Sequence, residues 1–429
     1  MNTGKEQKIL LIIIVIILIL TGGYLWKQQQ NLVKVISVVL PNDYKDTQQD
    51  WIEGIKTCSS DLDFQVNFFF EENEEELNKR LDIENSQNIS ALITSNDCNI
   101  NSKDLFAEGY NLAFNIAQKS RPVKLEKNDN EFKIGISLYN KDDTFINTLS
   151  TEIENSLKKV ANDNNVRLLL DVEDAKGDKY EQNRHIEYFM EQKCDVIAVN
   201  IIDTWNASKV INRGKEERIP VIFFNREPSD EDISLWNDVY YVGTDGIELG
   251  KMQGEILTEA FLKNNSEIDK NKDGILQYIL VEGEEGHSDS VRRTDAMLKK
   301  IDNNFTTEQI SLVSADWKRD VAKEEFSKVD INKIQNSEAV VCNNDDMALG
   351  VLDAMKEMGI KDFPAILGVN GDNEVIDNIE KGYILGTISQ NIKGQADIIA
   401  DLSFKLWKKE YINEEQKIYI SGEKHIKLY

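Results

Sequence analysis

From Phe132 to Trp407 the sequence alternates short runs of Ile, Val, Leu and Phe with longer stretches of helical period. This pattern constrains the fold more than any other feature. Parallel strands need a crossover long enough to hold a helix, so repeated strand–helix alternation specifies parallel sheets covered by helices. Phe132–Tyr139 reads as the opening strand and Phe145–Asn162 as a helix. Strands follow at Val166–Leu170, Asp195–Asn200, Ile219–Phe224 and Tyr240–Thr244. In open sheets of this class, ligands sit beyond the carboxyl ends of the strands. The polar residues just after each strand are therefore the candidate functional groups.

The same alternation occurs once more, nearer the N-terminus. Val33–Leu40, Phe64–Phe70 and Ile89–Thr94 read as strands, with helices over Trp51–Cys58, Glu74–Leu81 and Leu105–Gln118. This gives an α/β half-lobe module over residues 33–124, closed by the polar join Arg121–Asn130. Ahead of it, Lys5 and Lys8 precede an apolar run from Ile9 to Trp26. Its length is that of a bilayer span, and the lysines place the short tail 1–8 inside. The expectation is an uncleaved anchor over 9–26 with the rest of the chain exported. The alternative is signal cleavage near Gly23, although Thr21-Gly22-Gly23 matches a cleavage site poorly. No Cys follows that site, so lipoprotein processing is not expected.

The chain carries 76 acidic and 50 basic residues, a net charge of −26. That excludes nucleic-acid binding as its principal role, which requires a basic footprint. Cys194 and Cys342 sit beside apolar runs and read as small buried hydrophobes. Cys58 and Cys98 share the N-terminal module, and the sequence leaves a disulfide between them open.

The segment Asp269–Arg293 is the richest in chemistry. Asp269, Asn271 and Asp273 place oxygen side chains at alternate positions, and Gly274 follows. Such a loop wraps Ca²⁺, which takes about six to eight oxygens, with the glycine permitting the sharp turn. An EF-hand would supply a bidentate Glu at the twelfth loop position, where this chain has Leu280 in the run Tyr278–Val281. The loop therefore leads into a strand, and its closing carboxylate comes from elsewhere. Shortly afterwards His287, Asp289 and Arg293 bring an imidazole, a carboxylate and a guanidinium together. A planar donor fork beside an acceptor suits a polyhydroxylated ligand. Taken separately, an Asp/Asn-rich turn also reads as a solvated loop, and His-x-Asp as surface decoration.

In this order and spacing, the two motifs resemble those of the bacterial periplasmic galactose/glucose-binding proteins. The resemblance runs from Phe132 to the C-terminus. It is carried by Tyr139–Phe145, Ala198–Asp203, Val221–Pro228, Tyr240–Asp245, Asp269–Gly274, Glu284–Asp289 and Cys342–Met347. It implies a two-lobed α/β fold, with lobe 1 over 131–238, lobe 2 with the calcium loop over 239–391, and a return to lobe 1 over 392–429. It further implies sugar contacts from Asp143, Asn200, His287, Asp289, Arg293 and Asn344, and a ring sandwiched between Phe145 and Trp317. Asp142 and Asn343 are the neighbours read as structural, Asp142 as a helix cap. For the metal it implies Asp269, Asn271, Asp273 and Gln277, the backbone carbonyl of Ile275, and Glu338 as the distant carboxylate. Two positions depart from the family pattern. Asn370 stands where the family has aspartate, and Gln390 where it has asparagine. A mismatch in a site built around buried hydroxyls costs roughly 1–3 kcal/mol per unpaired group. The expected ligand is thus a monosaccharide of the glucose/galactose kind, with its exact identity set by these two residues.

The expected function is extracytoplasmic capture of that sugar by lobe closure, for delivery to an ABC permease. The module at 33–124 and the anchor raise a second reading, a sugar-sensing subunit signalling to a membrane kinase or chemoreceptor. A carbohydrate-processing enzyme is the weaker alternative. Asp143 and Asp289 are the two carboxylates such an enzyme would need.

Overall fold

The structure is a computed structural model. It describes residues 32–426 apart from 63, 87–88, 98–103, 120–122, 125–129, 264–267, 286, 411 and 413–414. The apolar run 9–26 and Cys98 lie outside the described residues. Among the described residues, no helix is long and apolar enough to cross a membrane. Cys58, Cys194 and Cys342 are buried and form no disulfide among the described residues.

The described chain forms two compact units. The first gathers the N-terminal residues up to Gly135 with 161–171 and 184–195. Its strands are β1 (Leu32–Val33), β2 (Val35–Pro41), β3 (Gln65–Glu71), β4 (Ala91–Thr94) and β5 (Val123–Lys124). β2 lies between β3 and β4 in a parallel three-stranded sheet. β1 pairs antiparallel with β5, which brings the two ends of the module side by side. The helices Gln49–Leu62 and Leu105–Lys119 cross with their backbones in contact. A Cβ on Gly54 would sit 2.1 Å from the Phe106 carbonyl oxygen, and one on Gly109 would sit 2.0 Å from that of Trp51.

The sequence places a boundary at the polar join, but this unit runs past it. Val39 and Phe69 of the module form a buried cluster with Leu169. Glu84 is fully buried and accepts from Ser37 Oγ at 2.7 Å and Arg167 Nη2 at 2.5 Å. Lys56 donates to Asp171 at 3.1 Å. The Gln192 amide accepts from Val66 N and donates to Phe64 O. A hydrophobic pattern reports that a segment is buried but not against what, so this docking is invisible in the sequence.

The second unit gathers 136–160, 172–183 and 196–429. Its first sheet uses the carboxyl ends of β6 (Glu131–Leu138) and β7 (Arg167–Asp174), with β8 (Val196–Val199), β9 (Val221–Phe224) and β10 (Val239–Gly243). The second uses β11 (Ile275–Glu282), β12 (Thr306–Ser314), β13 (Ala339–Cys342), β14 (Ala365–Leu367) and β15 (Gly386–Ser389). β16 (Lys417–Tyr419) returns to the first sheet and β17 (Glu423–Ile426) to the second. The orders are β16-β10-β9-β8-β6-β7 and β12-β11-β13-β14-β15-β17. All described ladders in the two sheets are parallel except β15–β17. The central strands β8, β9 and β13 are apolar and buried along their whole length, as parallel strands covered on both faces must be.

Two lobe boundaries differ from the expectation. β10, expected to open lobe 2, pairs with β9 and belongs to lobe 1. β17, expected in lobe 1, pairs with β15 and belongs to lobe 2. The chain thus crosses between lobes three times: after Gly243, after Ser389, and between Tyr419 and Glu423.

Candidate functional site

The candidate pocket is a cleft between the two sheets at the carboxyl ends of their strands, open to solvent, with about 410 Å³ of empty space counting its open mouth. In lobe 1, β6 ends at Leu138 and the chain turns into the helix Thr144–Asp163. Asp143 sits at that turn. One carboxylate oxygen caps the helix through Ile146 N at 3.0 Å, and the other accepts from Tyr139 OH at 2.5 Å. The cap is therefore Asp143, not Asp142, which is exposed. Burial, reinforced by the Asp143 charge, holds the Tyr139 hydroxyl well above its usual range, so it stays a donor. Phe145 lies in the first turn of the same helix and is 6% exposed. After β9, Arg226 lays its guanidinium 4.3 Å from the Tyr139 ring centre. It also donates to Ile202 O at 2.8 Å.

Lobe 2 contributes from five segments. His287 precedes the helix Ser288–Asp302 and accepts Asp289 N at Nδ1, 3.1 Å away. This leaves Nε2 to carry the proton. Burial lowers the imidazole pKa, so the ring is neutral at pH 7. Arg293, one turn on, donates to Asn343 O at 2.7 Å and lies 3.8 Å from Asp289 Oδ2. Its Nε is buried with no hydrogen-bond partner among the described residues. A buried donor left unpaired by the protein is one a ligand can satisfy. Trp317 has φ +66° and presses its ring against Gly283, where a Cβ would lie 2.3 Å from the indole. It meets His287 edge-on at 5.3 Å. Asn344 caps the helix Asp345–Glu357 through Met347 N and donates to Trp317 O at 2.9 Å. Asn343 is structural, accepting from Gly283 N and Ser290 Oγ.

Asn370 and Gln390, the two departures from the family pattern, are bonded to each other. Gln390 Nε2 donates to Asn370 Oδ1 at 2.7 Å, while Gln390 Oε1 accepts from Thr244 Oγ1 at 2.6 Å. Both line the pocket. With its oxygen engaged, Asn370 presents an amide N–H to this corner, where a carboxylate would present only acceptors.

Nine of the ten expected sugar contacts line this pocket: Asp143, Phe145, His287, Asp289, Arg293, Trp317, Asn344, Asn370 and Gln390. Asn200 does not. It is fully buried behind the wall, donating to Phe224 O at 3.3 Å and Asn225 Oδ1 at 3.1 Å. Tyr139, Ile146, Asn225 and Arg226 line the pocket without having been expected there. Asn225 has φ +62°, a left-handed turn at the strand end, and an Asn after four apolar residues was the available signal.

After β14, Asp372 has its carboxyl pushed well above the usual range, first by burial and then by the charges of Asp345, Asp346, Asp143 and Glu374. Asp345 itself is fully buried and accepts from Thr387 Oγ1, Gly371 N and Asp372 N.

The loop before β11 is closed by hydrogen bonds among its own side chains and backbone. Asp269 accepts from Asp273 N and Gly274 N, and Gly274 has φ +75°. Asn271 Nδ2 donates to Asp273 Oδ2 at 2.9 Å and to Gln277 Oε1 at 3.3 Å. Gln277 Nε2 donates to Asp273 Oδ2 at 3.0 Å. Glu338 ties the loop down through Lys270 N and Gln277 N. Burial raises the Glu338 carboxyl pKa, and the Asp269 charge adds to the effect. Among the described residues, no three His, Cys, Asp or Glu side chains are grouped to hold a metal ion.

Two sheets of this order, crossed three times and clasping a polar pocket with aromatic walls, define a ligand-binding protein of the two-lobed class. The family described as the periplasmic binding protein domain matches residues 134–410. The D-galactose/methyl-galactoside-binding periplasmic protein of Haemophilus influenzae is 32% identical over 276 residues, 64% of this chain and 81% of that protein. Among solved structures, a periplasmic solute-binding protein from Actinobacillus succinogenes with bound D-allose superposes with a TM-score of 0.58. It is 18% identical and covers 68% of this chain and 96% of its own. The fructose-binding periplasmic domain of a hybrid two-component system gives 0.57 at 18% identity, covering 69% and 90%. The chain belongs to the periplasmic binding protein family, in its type I sugar-binding branch. It is a binding protein, not an enzyme, and the family places it outside the cytoplasm.

Proposed function

We propose that this chain captures a glucose- or galactose-like monosaccharide by closing its two lobes on it. The observation that carries the reading is a pocket lined by two aromatic rings, Phe145 and Trp317, together with a set of donors and acceptors, with Arg293 Nε unpaired among the described residues. Flat rings suit the apolar C–H faces of a pyranose, and the donors and acceptors suit its hydroxyls. Calorimetry on the whole chain against aldohexoses, aldopentoses and inositols tests it. A one-to-one isotherm with a hexose is expected, and silence across the panel would defeat the reading.

The sugar is handed to an ABC permease or reported to a membrane sensor. Family membership favours delivery. The module before Phe132 and the likeness to a two-component periplasmic domain favour sensing. Purification of the tethered chain with its membrane partner, with and without sugar, decides between a permease and a kinase or chemoreceptor. The tether is residues 9–26. Release of the protein from membranes by alkaline carbonate would remove the anchor from this account.

We also propose that Ca²⁺ fills the loop before β11. Asp269, Asn271, Asp273, Gln277 and Glu338 are linked to one another or to the loop backbone by hydrogen bonds, and the Ile275 carbonyl stands at the seventh loop position. The Asn271 and Gln277 amides point nitrogen at Asp273, and a 180° turn of each presents oxygen instead. A ligand bound only by the native state stabilises it by mass action. Melting should therefore be higher with calcium than with chelator, and Asp273→Ala should erase the difference. Equal melting in both buffers would leave the loop without a metal role.

A further inference from the structure

We infer that Arg226 and Glu227 form a clasp: consecutive side chains of lobe 1 that hold lobe 2 closed, with Arg226 inside the pocket and Glu227 outside it. The inference builds on the sugar-binding reading above. Arg226 and Arg293 line the pocket, whereas their neighbours Glu227 and Arg292 meet beyond it. Glu227 is held from its own lobe. It accepts from Lys417 Nζ at 2.7 Å and Tyr419 OH at 2.6 Å, both on β16. Its other oxygen accepts from Arg292 Nη1, on the lobe 2 helix Ser288–Asp302. Arg226 reaches the same lobe more weakly, with Nη2 3.4 Å from Glu284 Oε2.

The arrangement suits a reversible contact. Lys417 and Tyr419 fix the Glu227 rotamer whether or not lobe 2 is present. Docking Arg292 therefore restricts one long side chain instead of two. When the lobes part, Glu227 keeps both partners from its own lobe, so no buried charge is stranded. Burial alone would raise the Glu227 carboxyl pKa. Hydrogen bonds from Lys417 and Tyr419 and the charge of Arg292 outweigh it and keep the group ionised. The Arg292 side chain is 40% exposed, so solvent screens the pair and limits its strength. Neither Glu227 nor Arg292 lines the pocket, so they act on the open–closed equilibrium. A shift in the closed fraction changes the apparent affinity for every sugar by one common factor.

The test uses the whole chain with Arg292→Gln, Glu227→Gln and the double variant. Each single change should weaken two different bound sugars by the same factor, about three- to ten-fold. The double variant should lose no more than either single one, since both remove one contact. Arg292→Lys, which keeps the charge, should recover part of the loss. Small-angle scattering of the sugar-free protein should show a larger radius of gyration for Arg292→Gln than for wild type. Unchanged affinity, a factor that differs between sugars, or additive losses would each overturn the clasp. If the wild type bound no sugar, the sugar reading would fail, and an unchanged scattering radius in Arg292→Gln would then refute the clasp separately.

Discussion

The two lobes present their pocket groups in different ways. In lobe 1 the polar groups make few ties: Asp143 caps its own helix and bonds Tyr139, and Arg226 lies on the Tyr139 ring, donates to Ile202 O and makes one long contact to Glu284 of lobe 2. In lobe 2 the groups come from five distant segments and hold one another. Arg293 and Ser290 lean on Asn343, Asn344 on the Trp317 backbone, and Gln390 on Asn370. A larger network with more shared members transmits damage further. Lobe 2 substitutions should therefore cost more than chemically similar ones in lobe 1.

The sharpest challenge is a pair of wall deletions. Trp317→Ala should weaken every sugar by roughly 2–4 kcal/mol, as buried aromatic anchors do. Phe145→Ala should weaken them less, because its neighbours keep their ties. Equal losses in calorimetry would break the asymmetry. Next comes Arg293→Lys. A single ammonium cannot keep Asn343 O and also offer the forked donor, so a loss of about 2 kcal/mol is expected. Arg226→Lys should lose less than half of that.

Asn370→Asp with Gln390→Asn should shift the sugar ranking toward glucose or galactose by about 1–3 kcal/mol. Because the two side chains are bonded, the single variants should not add. An unchanged ranking would move the choice of sugar to Asp143 and the His287–Arg293 cluster.

The smallest effect concerns pH. A carboxyl raised in the folded state binds its proton more tightly there than in the unfolded chain. Its stabilisation is present below the unfolded pKa and is lost as pH rises through the folded one. For Asp372, raised by burial and its acidic neighbours, the loss falls on the alkaline side of the usual carboxylate range. Asp372→Asn should flatten the decline of melting temperature with rising pH in that window. Parallel curves for variant and wild type would show that Asp372 titrates normally.

Much of this was legible in the sequence. Strands β6, β8, β9, β11 and β13 announce themselves as apolar runs, and the calcium-type loop and the His287–Arg293 group lie within short stretches. What was not legible depended on pairing. β10 reads Val-Tyr-Tyr-Val-Gly and would be equally buried in either sheet, so its pattern cannot say which side of the crossing it occupies. β17, Glu-Lys-His-Ile, is a polar edge strand with no period to detect. Asn200 ends an apolar strand as a ligand contact would, yet its amide is consumed by Phe224 and Asn225. Only the neighbouring turn, with its left-handed Asn225, reveals that.

Thr244 and Gln390 stand on two of the three crossings and bond to each other, and Gln390 continues to Asn370 at the pocket wall. In the proposed reading, the crossings on which the lobes would turn are thus wired to the corner that would read the sugar's hydroxyl pattern. Residence time and selectivity are then not separate adjustable properties of this protein. A lineage that altered Gln390 to accept a new sugar would also alter how long each sugar stays, and with it the length of any signal or the pace of any handover.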